Sequence, residues 1–274
     1  MKNAFSIDLE DWFCVRNLSS IFPFSEWSRQ SLRVEQNAMR LLEILDRHSV
    51  KSTFFVLGWI AEKVPGLVRT IAQAGHEIAT HGYGHLQATG VTPAEFENDV
   101  AKSLEVLRQI VPAKVLGFRA PSFSITRKTL WAFDILMKYG IRYDSSIFPV
   151  GFHPDYGIKN TQLSIYKIND SLYEFPMSCF KFLGATVPCC GGGYFRLFPY
   201  AVTRYGIQQC NRESRPAVFY VHPWEIDAQQ PRVKNIKPFK RFRHYVNLGK
   251  TEERLHRLLS DFEFMTIASV LQLS

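Results

Sequence analysis

Two histidines four residues apart, His81 and His85, have the spacing best suited to chemistry in this chain. Imidazoles one helical turn or one tight loop apart can both reach a single metal ion. A pair of this kind is equally compatible with surface or packing roles, so its meaning depends on the polar residues that the fold brings near it. The candidates are the acids Asp8, Glu10 and Asp11, together with Arg119, Asp144 and His222.

The elements that must position these residues alternate between strands and helices. Short apolar runs predict strands at 3–8, 51–57, 76–80, 115–118, 142–144, 172–175 and 217–222. Stretches of helical periodicity predict helices near 34–48, 65–74, 92–110, 126–139, 199–211 and 251–260. A capping box that begins at Thr92, with proline next to it, marks the start of one helix. This alternation predicts an α/β fold with a parallel sheet, either open or closed into a barrel.

The polar candidates fall at the C-terminal ends of predicted strands. Asp8, Asp144 and His222 each end a strand. His81 and Arg119 each follow one directly. Ligands bind and catalysis occurs at this edge of α/β folds, so we expect these side chains to converge there.

The expected set of residues suits metal-assisted hydrolysis of an amide or ester. A carboxylate and two imidazoles form a three-ligand face that leaves positions open for water, as in catalytic metal sites. A second carboxylate, Asp8, can accept a proton from that water, and His222 can donate a proton to the leaving group. Arg119 can orient Asp8, or form a salt bridge with Asp144 across the mouth of the barrel.

Length and composition predict one soluble globular domain over residues 1–274. The five cysteines are odd in number and have no CxxC spacing, which argues against a disulfide framework or a zinc ribbon. The N-terminus is too short and too soon acidic for a signal peptide, and no apolar run is long enough for a membrane span. We therefore expect a cytoplasmic protein.

The net charge of +8 is concentrated in one basic stretch, residues 232–243, in which Phe239 and Phe242 are interleaved with cations. Such a stretch predicts either a solvated loop or contact with an anionic membrane surface or a diphosphate-bearing substrate. Nothing in the chain resembles a nucleic-acid-binding motif, so we expect no nucleic-acid partner. The cations are Arg232, Lys234, Lys237, Lys240, Arg241 and Arg243.

Taken together, several motifs resemble the polysaccharide deacetylases of carbohydrate esterase family 4, the NodB homology domain. The motifs are 5–12 (FSIDLEDW), 52–58 (STFFVLG), 81–85 (HGYGH), 118–121 (FRAP), 143–146 (YDSS) and 221–225 (VHPWE). Together with the loop 191–196 (GGGYFR), they are similar to deacetylases encoded beside bacterial exopolysaccharide and exosortase loci.

This resemblance implies a distorted (β/α) barrel of about seven parallel strands, with residues 223–274 as a C-terminal extension packed on the barrel. It implies a divalent metal, most simply Zn²⁺ with Co²⁺ or Ni²⁺ as alternatives. Asp8 corresponds to the general base, His81 and His85 to metal ligands, Arg119 to the arginine that orients the base, and His222 to the general acid. Asp144 corresponds to a position that supports the active-site wall or the acid. Pro121, Tyr194 and Trp224 are the expected sugar contacts, with packing in the core an equal alternative for Tyr194 and Trp224.

The chain departs from the family pattern at its first acidic motif. The usual motif has two adjacent aspartates, whereas Leu9 follows Asp8 in this chain. Strand alternation puts Glu10 on the same face as Asp8, which favours Glu10 as the third ligand over the alternative, Asp11. A second departure is Gly82, where many relatives carry serine or threonine.

The leading hypothesis is an enzyme that removes N-acetyl groups from an amino-sugar polysaccharide or its lipid-linked precursor. In that case the basic stretch could dock at the inner face of the membrane. An alternative is an amidohydrolase of the same fold that acts on C–N bonds of a small molecule, with or without metal. A third reading, a catalytically inactive glycan-binding module, does not explain why base, ligands, arginine and acid occur together.

Overall fold

One curled sheet of parallel strands forms the centre of the molecule. A computed structural model describes residues 1–151 and 156–273. The strand order is β10-β1-β2-β3-β4-β5-β7-β6, and β11 also pairs with β1. Neighbours from β10 to β7 along this order are parallel, and only β6 is antiparallel to its neighbour. Seven consecutive parallel strands therefore agree with the distorted barrel expected from the sequence.

The strands are short except for the first. They are β1 (Asn3–Leu9), β2 (Thr53–Val56), β3 (Glu77–Thr80), β4 (Gly117–Phe118), β5 (Tyr143–Asp144), β6 (Tyr166–Lys167), β7 (Tyr173–Glu174), β8 (Cys179–Phe182), β9 (Ala185–Pro188), β10 (Val218–Val221) and β11 (Phe264–Met265). The β8 and β9 strands form a separate antiparallel hairpin. Every residue of β1 is buried, as expected for a central strand covered on both faces.

The helices connect successive strands. They are α1 (Val34–Arg47), α2 (Gly58–Lys63), α3 (Pro65–Gln73), α4 (Pro93–Ile110), α5 (Ala132–Lys138), α6 (Gly192–Leu197), α7 (Tyr200–Arg212), α8 (Pro238–Tyr245), α9 (Leu248–Asp261) and α10 (Ile267–Leu271). The predicted capping box at Thr92 is formed, since Thr92 Oγ1 accepts from the Glu95 amide and the Glu95 carboxylate accepts from the Thr92 amide. Within the described ranges, no helix is both long enough and apolar enough to cross a membrane.

All seven predicted strands are present, although most are shorter than predicted. The helix predicted over 126–139 begins only at Ala132, because Thr129 Oγ1 forms hydrogen bonds with the Thr126 amide and the Ser124 carbonyl in a preceding turn. The sequence reading missed the hairpin β8–β9 and the short helices α2, α6 and α10. It treated α8 as a basic stretch without secondary structure.

The predicted convergence at one edge of the sheet is present. His81, Arg119 and His222 directly follow β3, β4 and β10, while Asp8 and Asp144 lie near the ends of β1 and β5. Because these strands are parallel and adjacent, their C-terminal ends meet on the same side of the molecule.

Candidate metal and active site

Two buried carboxylates at the end of β1 form the floor of the site. Asp8 and Glu10 are two residues apart, so the pleat directs them to the same face. His222 Nε2 lies 3.8 Å from Asp8 Oδ2 and 3.4 Å from Glu10 Oε1. Both carboxylates therefore face the residue that follows the neighbouring strand β10.

The histidine pair meets Glu10. The Nε2 atoms of His81 and His85 each lie 3.4 Å from Glu10 Oε1. His81 Nδ1 lies 2.7 Å from the carbonyl oxygen of Arg119, and because a carbonyl only accepts, Nδ1 must carry the proton. This fixes the tautomer of His81 that leaves the Nε2 lone pair directed at the cluster.

The loop between the histidines is fixed by Asp99 of α4, a residue that the sequence reading missed. Its carboxylate oxygens accept hydrogen bonds from the amides of Tyr83 and Gly84 at 2.7 and 2.9 Å. Gly82 has a φ of +72°, and a Cβ there would lie 2.4 Å from Asp99 Oδ2. The glycine that departs from the family pattern is therefore required for this loop conformation.

Asp11 is not part of the cluster, so the alternative that it supplies the third metal ligand is wrong. Its Oδ1 accepts a hydrogen bond from the amide of Trp12 at 2.8 Å. Its Oδ2 accepts from the amides of Arg33 and Val34, at the start of α1, at 2.7 and 2.9 Å. Burial raises the pKa of Asp11 to about 6, and these backbone donors oppose that rise. Both oxygens are thus occupied by backbone amides, and Oδ2 caps the start of α1.

Arg119 is fully buried and holds Asp8. Its Nη1 donates to Asp8 Oδ1 at 2.7 Å and to Ser6 Oγ at 2.8 Å. Its Nε and Nη2 donate to the carbonyl and the hydroxyl of Ser145, both at 3.0 Å. The guanidinium lies over the ring of Phe55, 4.1 Å from its centroid. Asp8 is therefore fixed by a rigid cation rather than by a mobile side chain.

Asp144 supports this arrangement from behind, and the expected salt bridge between Arg119 and Asp144 is wrong. In the described part of the chain, the side-chain hydrogen bonds of Arg119 go to Asp8 and two serines. Asp144 instead accepts hydrogen bonds from the hydroxyl and amide of Ser146, and the Ser146 hydroxyl accepts from the amide of Ala120. Asp144 thus supports the wall beside Arg119 and, among the described residues, forms no hydrogen bond or ion pair with His222.

Asp144 has a second buried carboxyl group beside it, on Glu174 of β7. Burial, followed by the neighbouring Asp144 carboxylate, raises the pKa of Glu174 well above its ordinary value. Glu174 Oε1 accepts a hydrogen bond from the amide of Ile147 at 3.0 Å. A protonated Glu174 lets the pair remain buried with a single negative charge.

His222 lies at the solvent side of the cluster. Its side chain is 15% exposed, whereas that of Glu10 is 3% exposed. Burial lowers the pKa of His222, but the carboxylates of Glu10 and Glu225 more than offset this and raise it to about 10. A protonated His222 can donate a proton to a group that arrives from solvent.

The imidazoles also determine the charge on Glu10. Burial raises the pKa of Glu10, but the neighbouring imidazoles, above all those of His85 and His222, outweigh burial and hold this pKa well below its ordinary value. Glu10 is therefore an anion at neutral pH, as a metal ligand must be.

Of the three predicted sugar contacts, Trp224 is wrong. Its side chain is 5% exposed, and its ring is stacked on His222 and on His244 with centroids 5.3 and 4.7 Å apart. No ring face remains for a pyranose. Tyr194 is half-buried and its hydroxyl lies 2.9 Å from that of Tyr156. Pro121 is buried directly after Arg119 and Ala120, so the roles of Tyr194 and Pro121 stay predictions.

Gly191 and Gly192 pack closely against Tyr220, the second residue before His222. Gly191 has a φ of +109°, and a Cβ there would lie 2.2 Å from the carbonyl oxygen of Tyr220. At Gly192, with a φ of +50°, it would lie 2.3 Å from the Tyr220 hydroxyl. This close approach of the backbone to Tyr220 is one that only glycine permits.

Comparison with known proteins finds two family models that match successive parts of the chain. Residues 28–143 match the family model of polysaccharide deacetylases, and residues 145–272 match a model described as a domain of unknown function (DUF3473). The first of these regions is thus similar to polysaccharide deacetylases. It contains His81, His85 and Arg119, whereas Asp8 and Glu10 precede it and His222 lies in the second matched region.

Proteins similar to this chain include two enzymes named for peptidoglycan. The peptidoglycan deacetylase of Helicobacter pylori is 29% identical over 129 residues, which are 47% of this chain and 43% of that protein. The peptidoglycan-N-acetylglucosamine deacetylase of Bacillus cereus is 37% identical over 94 residues, which are 34% of each. The chain thus matches less than half the length of either relative.

A solved structure shares the whole fold. The crystal structure of a proposed polysaccharide deacetylase from Mycobacterium smegmatis superposes with a TM-score of 0.66 at 22% identity, covering 99% of this chain and 91% of that one. The shared fold extends over both matched regions.

The donor set of this site fits a divalent metal ion. Glu10, His81 and His85 each offer a ligand atom, and these atoms lie within 4.8 Å of one another. Glu10 Oε2 is buried and has no hydrogen-bond partner among the described residues, although a buried carboxylate oxygen requires one. One carboxylate and two imidazoles suit zinc and similar transition metals.

Proposed function

We propose that the protein is a metal-dependent hydrolase that removes N-acetyl groups from an amino-sugar glycan. The observation that carries this proposal is the meeting of Glu10, His81 and His85 beside a carboxylate that Arg119 holds in place. The names of the peptidoglycan deacetylases among its relatives support an N-acetylated sugar polymer as the substrate class.

Asp8 and His222, on different sides of the site, each carry out one of the two proton transfers. Asp8, fixed by Arg119, accepts a proton from the attacking water. His222, on the solvent side, donates a proton to the leaving nitrogen, so that acetate and a free amine are the products. Arg119, itself held by Ser6, keeps Asp8 in the orientation that this transfer requires.

Glu10, His81 and His85 would hold the metal ion, and zinc is our assignment because its preferred ligands are those present. A bound divalent ion would lower the pKa of water towards about 7 and polarise the acetyl carbonyl oxygen. Asp8 Oδ1 accepts a hydrogen bond from Arg119, so Oδ2 is the oxygen that would accept the proton of that water.

Acetate release from N-acetylglucosamine oligomers tests the proposal. We expect turnover that is lost on chelation and restored by Zn²⁺, Co²⁺ or Ni²⁺. Asp8→Asn should lower kcat by about 10²- to 10⁴-fold, while zinc binding and folding persist, because it removes a base and not a ligand. Glycan binding without turnover would refute the enzyme assignment. Turnover of small amides that survives chelation would favour an amidohydrolase of the same fold.

We further propose that the substrate is an exopolysaccharide or its lipid-linked precursor, and that the protein works in the cytoplasm at the inner membrane face. Support comes from α8, whose Phe239 and Phe242 are 70% and 54% exposed. No acid occurs between Asp227 and Glu252, although this segment carries seven lysines and arginines. A short helix with exposed aromatic and basic residues suits adsorption to an anionic interface, where each cation contributes about 1 kcal/mol.

Vesicle co-sedimentation tests this docking. We expect binding to phosphatidylglycerol-containing vesicles, little binding to phosphatidylcholine alone, and weakening by salt. Lys240→Glu/Arg241→Glu should abolish binding. The matched control Arg47→Glu/Lys114→Glu makes the same charge change at exposed positions of other elements and should retain it. Binding that is indifferent to lipid charge would refute this proposal.

A further inference from the structure

A buried ion pair lies behind His222, on the side away from the carboxylate cluster. One partner of this pair is Glu225, which lies in the 3-10 helix Pro223–Ile226 directly after His222. Its Oε1 lies 3.5 Å from His222 Nδ1. On the opposite edge of the same ring, Nε2 lies 3.4 Å from Glu10 Oε1. The imidazole therefore bridges two carboxylates, of which only Glu10 belongs to the metal cluster.

Arg196 of α6 holds Glu225 in place. Its Nε lies 3.2 Å from Glu225 Oε1, and both side chains are buried. Its Nη1 donates to the carbonyl oxygens of His244 and Val246 at 2.8 and 3.1 Å. The guanidinium is thus bound to two separate segments and cannot move without breaking several hydrogen bonds.

The same residues also fix the plane of the His222 ring. The ring is stacked on Trp224 with an interplanar angle of 28°, and Trp224 is stacked on His244 at 11°. Arg196 lies over the Trp224 ring, 5.0 Å from its centroid. The imidazole is therefore held at one edge by Glu225 and on one face by Trp224.

We infer that Glu225 and Arg196 are positioning residues for His222, which keep its Nε2 directed at the reacting groups. This inference rests on the proposed function, since it concerns the residue to which that function assigns proton donation. A rotation of the ring would carry Nε2 away from Asp8 and Glu10, and small misplacements of a reacting group reduce rates strongly. Neither residue needs to touch substrate for this role.

Methionine substitutions test the inference. Glu225→Met alone leaves Arg196 buried and unpaired and can unfold the protein, so the double variant R196M/E225M, which replaces the pair by apolar groups of similar volume, is the main test. We expect a fall in kcat of about 10- to 100-fold with KM unchanged within about twofold. Glu225→Gln should recover most of kcat, because its carboxamide oxygen keeps a polar neighbour of similar geometry beside His222 Nδ1, where Glu225 Oε1 lies at 3.5 Å.

Asp227→Asn is the matched control. Asp227 forms another ion pair in the same segment, 2.5 Å from Arg33, and is also buried. It should lower thermal stability but leave kcat unchanged. A folded double variant with wild-type kcat, or an equal loss of kcat in Asp227→Asn, would overturn the inference.

A crystal structure of the double variant provides a readout that does not depend on turnover. We expect the His222 ring to be rotated, with Nε2 displaced from Glu10. An unchanged ring would overturn the inference even in an inactive protein. An inactive wild-type protein would instead contradict the proposed function, so the two failures are distinguishable.

Discussion

Two adjacent acids at the end of β1 have opposite roles, and a pair of isosteric substitutions separates them. Glu10→Gln and Asp11→Asn each replace a carboxylate by a carboxamide of the same shape. The Glu10 carboxylate faces His81 and His85, whereas the Asp11 carboxylate accepts hydrogen bonds from three backbone amides. We expect the first substitution to reduce metal affinity and the second to reduce stability.

The loss of metal affinity follows from electrostatics. At the bond length of about 2 Å that zinc takes with carboxylates, Coulomb's law with the dielectric constant of water gives about 4 kcal/mol between a divalent ion and one negative charge. Dehydration of the carboxylate offsets part of this energy. We therefore expect Glu10→Gln to weaken zinc binding by at least about 100-fold, equivalent to about 2.7 kcal/mol.

The loss of stability follows from hydrogen bonding. If the carboxamide oxygen of Asp11→Asn faces the amides of Arg33 and Val34, its NH₂ group faces the amide of Trp12, and two donors then oppose each other. An unsatisfied buried donor costs about 1–3 kcal/mol. In a chain of this size the melting temperature should fall by about 2–4 °C for each kcal/mol.

Zinc affinity by competition with a chromophoric chelator and unfolding in urea are measured on both variants. Asp11→Asn should bind zinc within about threefold of wild type, and Glu10→Gln should bind at least about 100-fold more weakly. The opposite pattern, with zinc binding lost in Asp11→Asn and retained in Glu10→Gln, would refute the assignment of Glu10 as the ligand. Equal losses in both would show that the geometry of this turn, rather than either carboxylate, controls the metal.

Two further predictions concern the packing around the acid. Gly191→Ala should destabilise the protein by about 1–3 kcal/mol in urea, because its Cβ would lie 2.2 Å from the Tyr220 carbonyl oxygen at a positive φ, whereas Gly193→Ala has no atom within 4 Å and should not. Burial, followed by Arg196, lowers the pKa of His244 to about 3, so from pH 7.5 to pH 5 the unfolded state takes up a proton that the native state does not. Stability should fall by about 2 kcal/mol over that range, and His244→Phe should remove this part of the acid sensitivity, measured as the difference between unfolding free energies at the two pH values. An unchanged pH dependence in His244→Phe would contradict the second prediction, and equal stability of the two alanine variants would contradict the first.

Sequence periodicity was sufficient to predict side-chain positions that depend only on the strand that carries them. The alternation of β1 directs Ser6, Asp8 and Glu10 to one face, and parallel strands bring their C-terminal ends together, so the convergence of His81 and His222 on Glu10 follows from the strand assignments. The same alternation places Ser6, two residues before Asp8, on this face, but the sequence did not reveal that it binds Arg119.

Periodicity was insufficient where contacts join distant segments. Asp11 caps a helix that begins more than 20 residues later, and Asp99 reaches the histidine loop from the middle of α4. The expected contact of Arg119 with Asp8 is present, but the alternative salt bridge with Asp144 is absent for a related reason. Asp144 ends β5, the strand next to β4, but its carboxylate accepts a hydrogen bond from Ser146. Asp8, which lies on the more distant strand β1, accepts the hydrogen bond from Arg119.

The site depends on the register between β1 and β10, and neither of the two regions that match a family model contains both strands. Strand β1 precedes the polysaccharide deacetylase match and pairs in parallel with β10 of the second matched region, with Ile7 opposite Val221. This pairing brings Asp8 and His222, the residues that follow the two partners, side by side. A slip of one residue in β10 would turn His222 to the other face of the sheet and separate it from Asp8. The close packing of Gly191 and Gly192 on Tyr220 opposes such a slip, because it fixes which face of β10 that ring occupies.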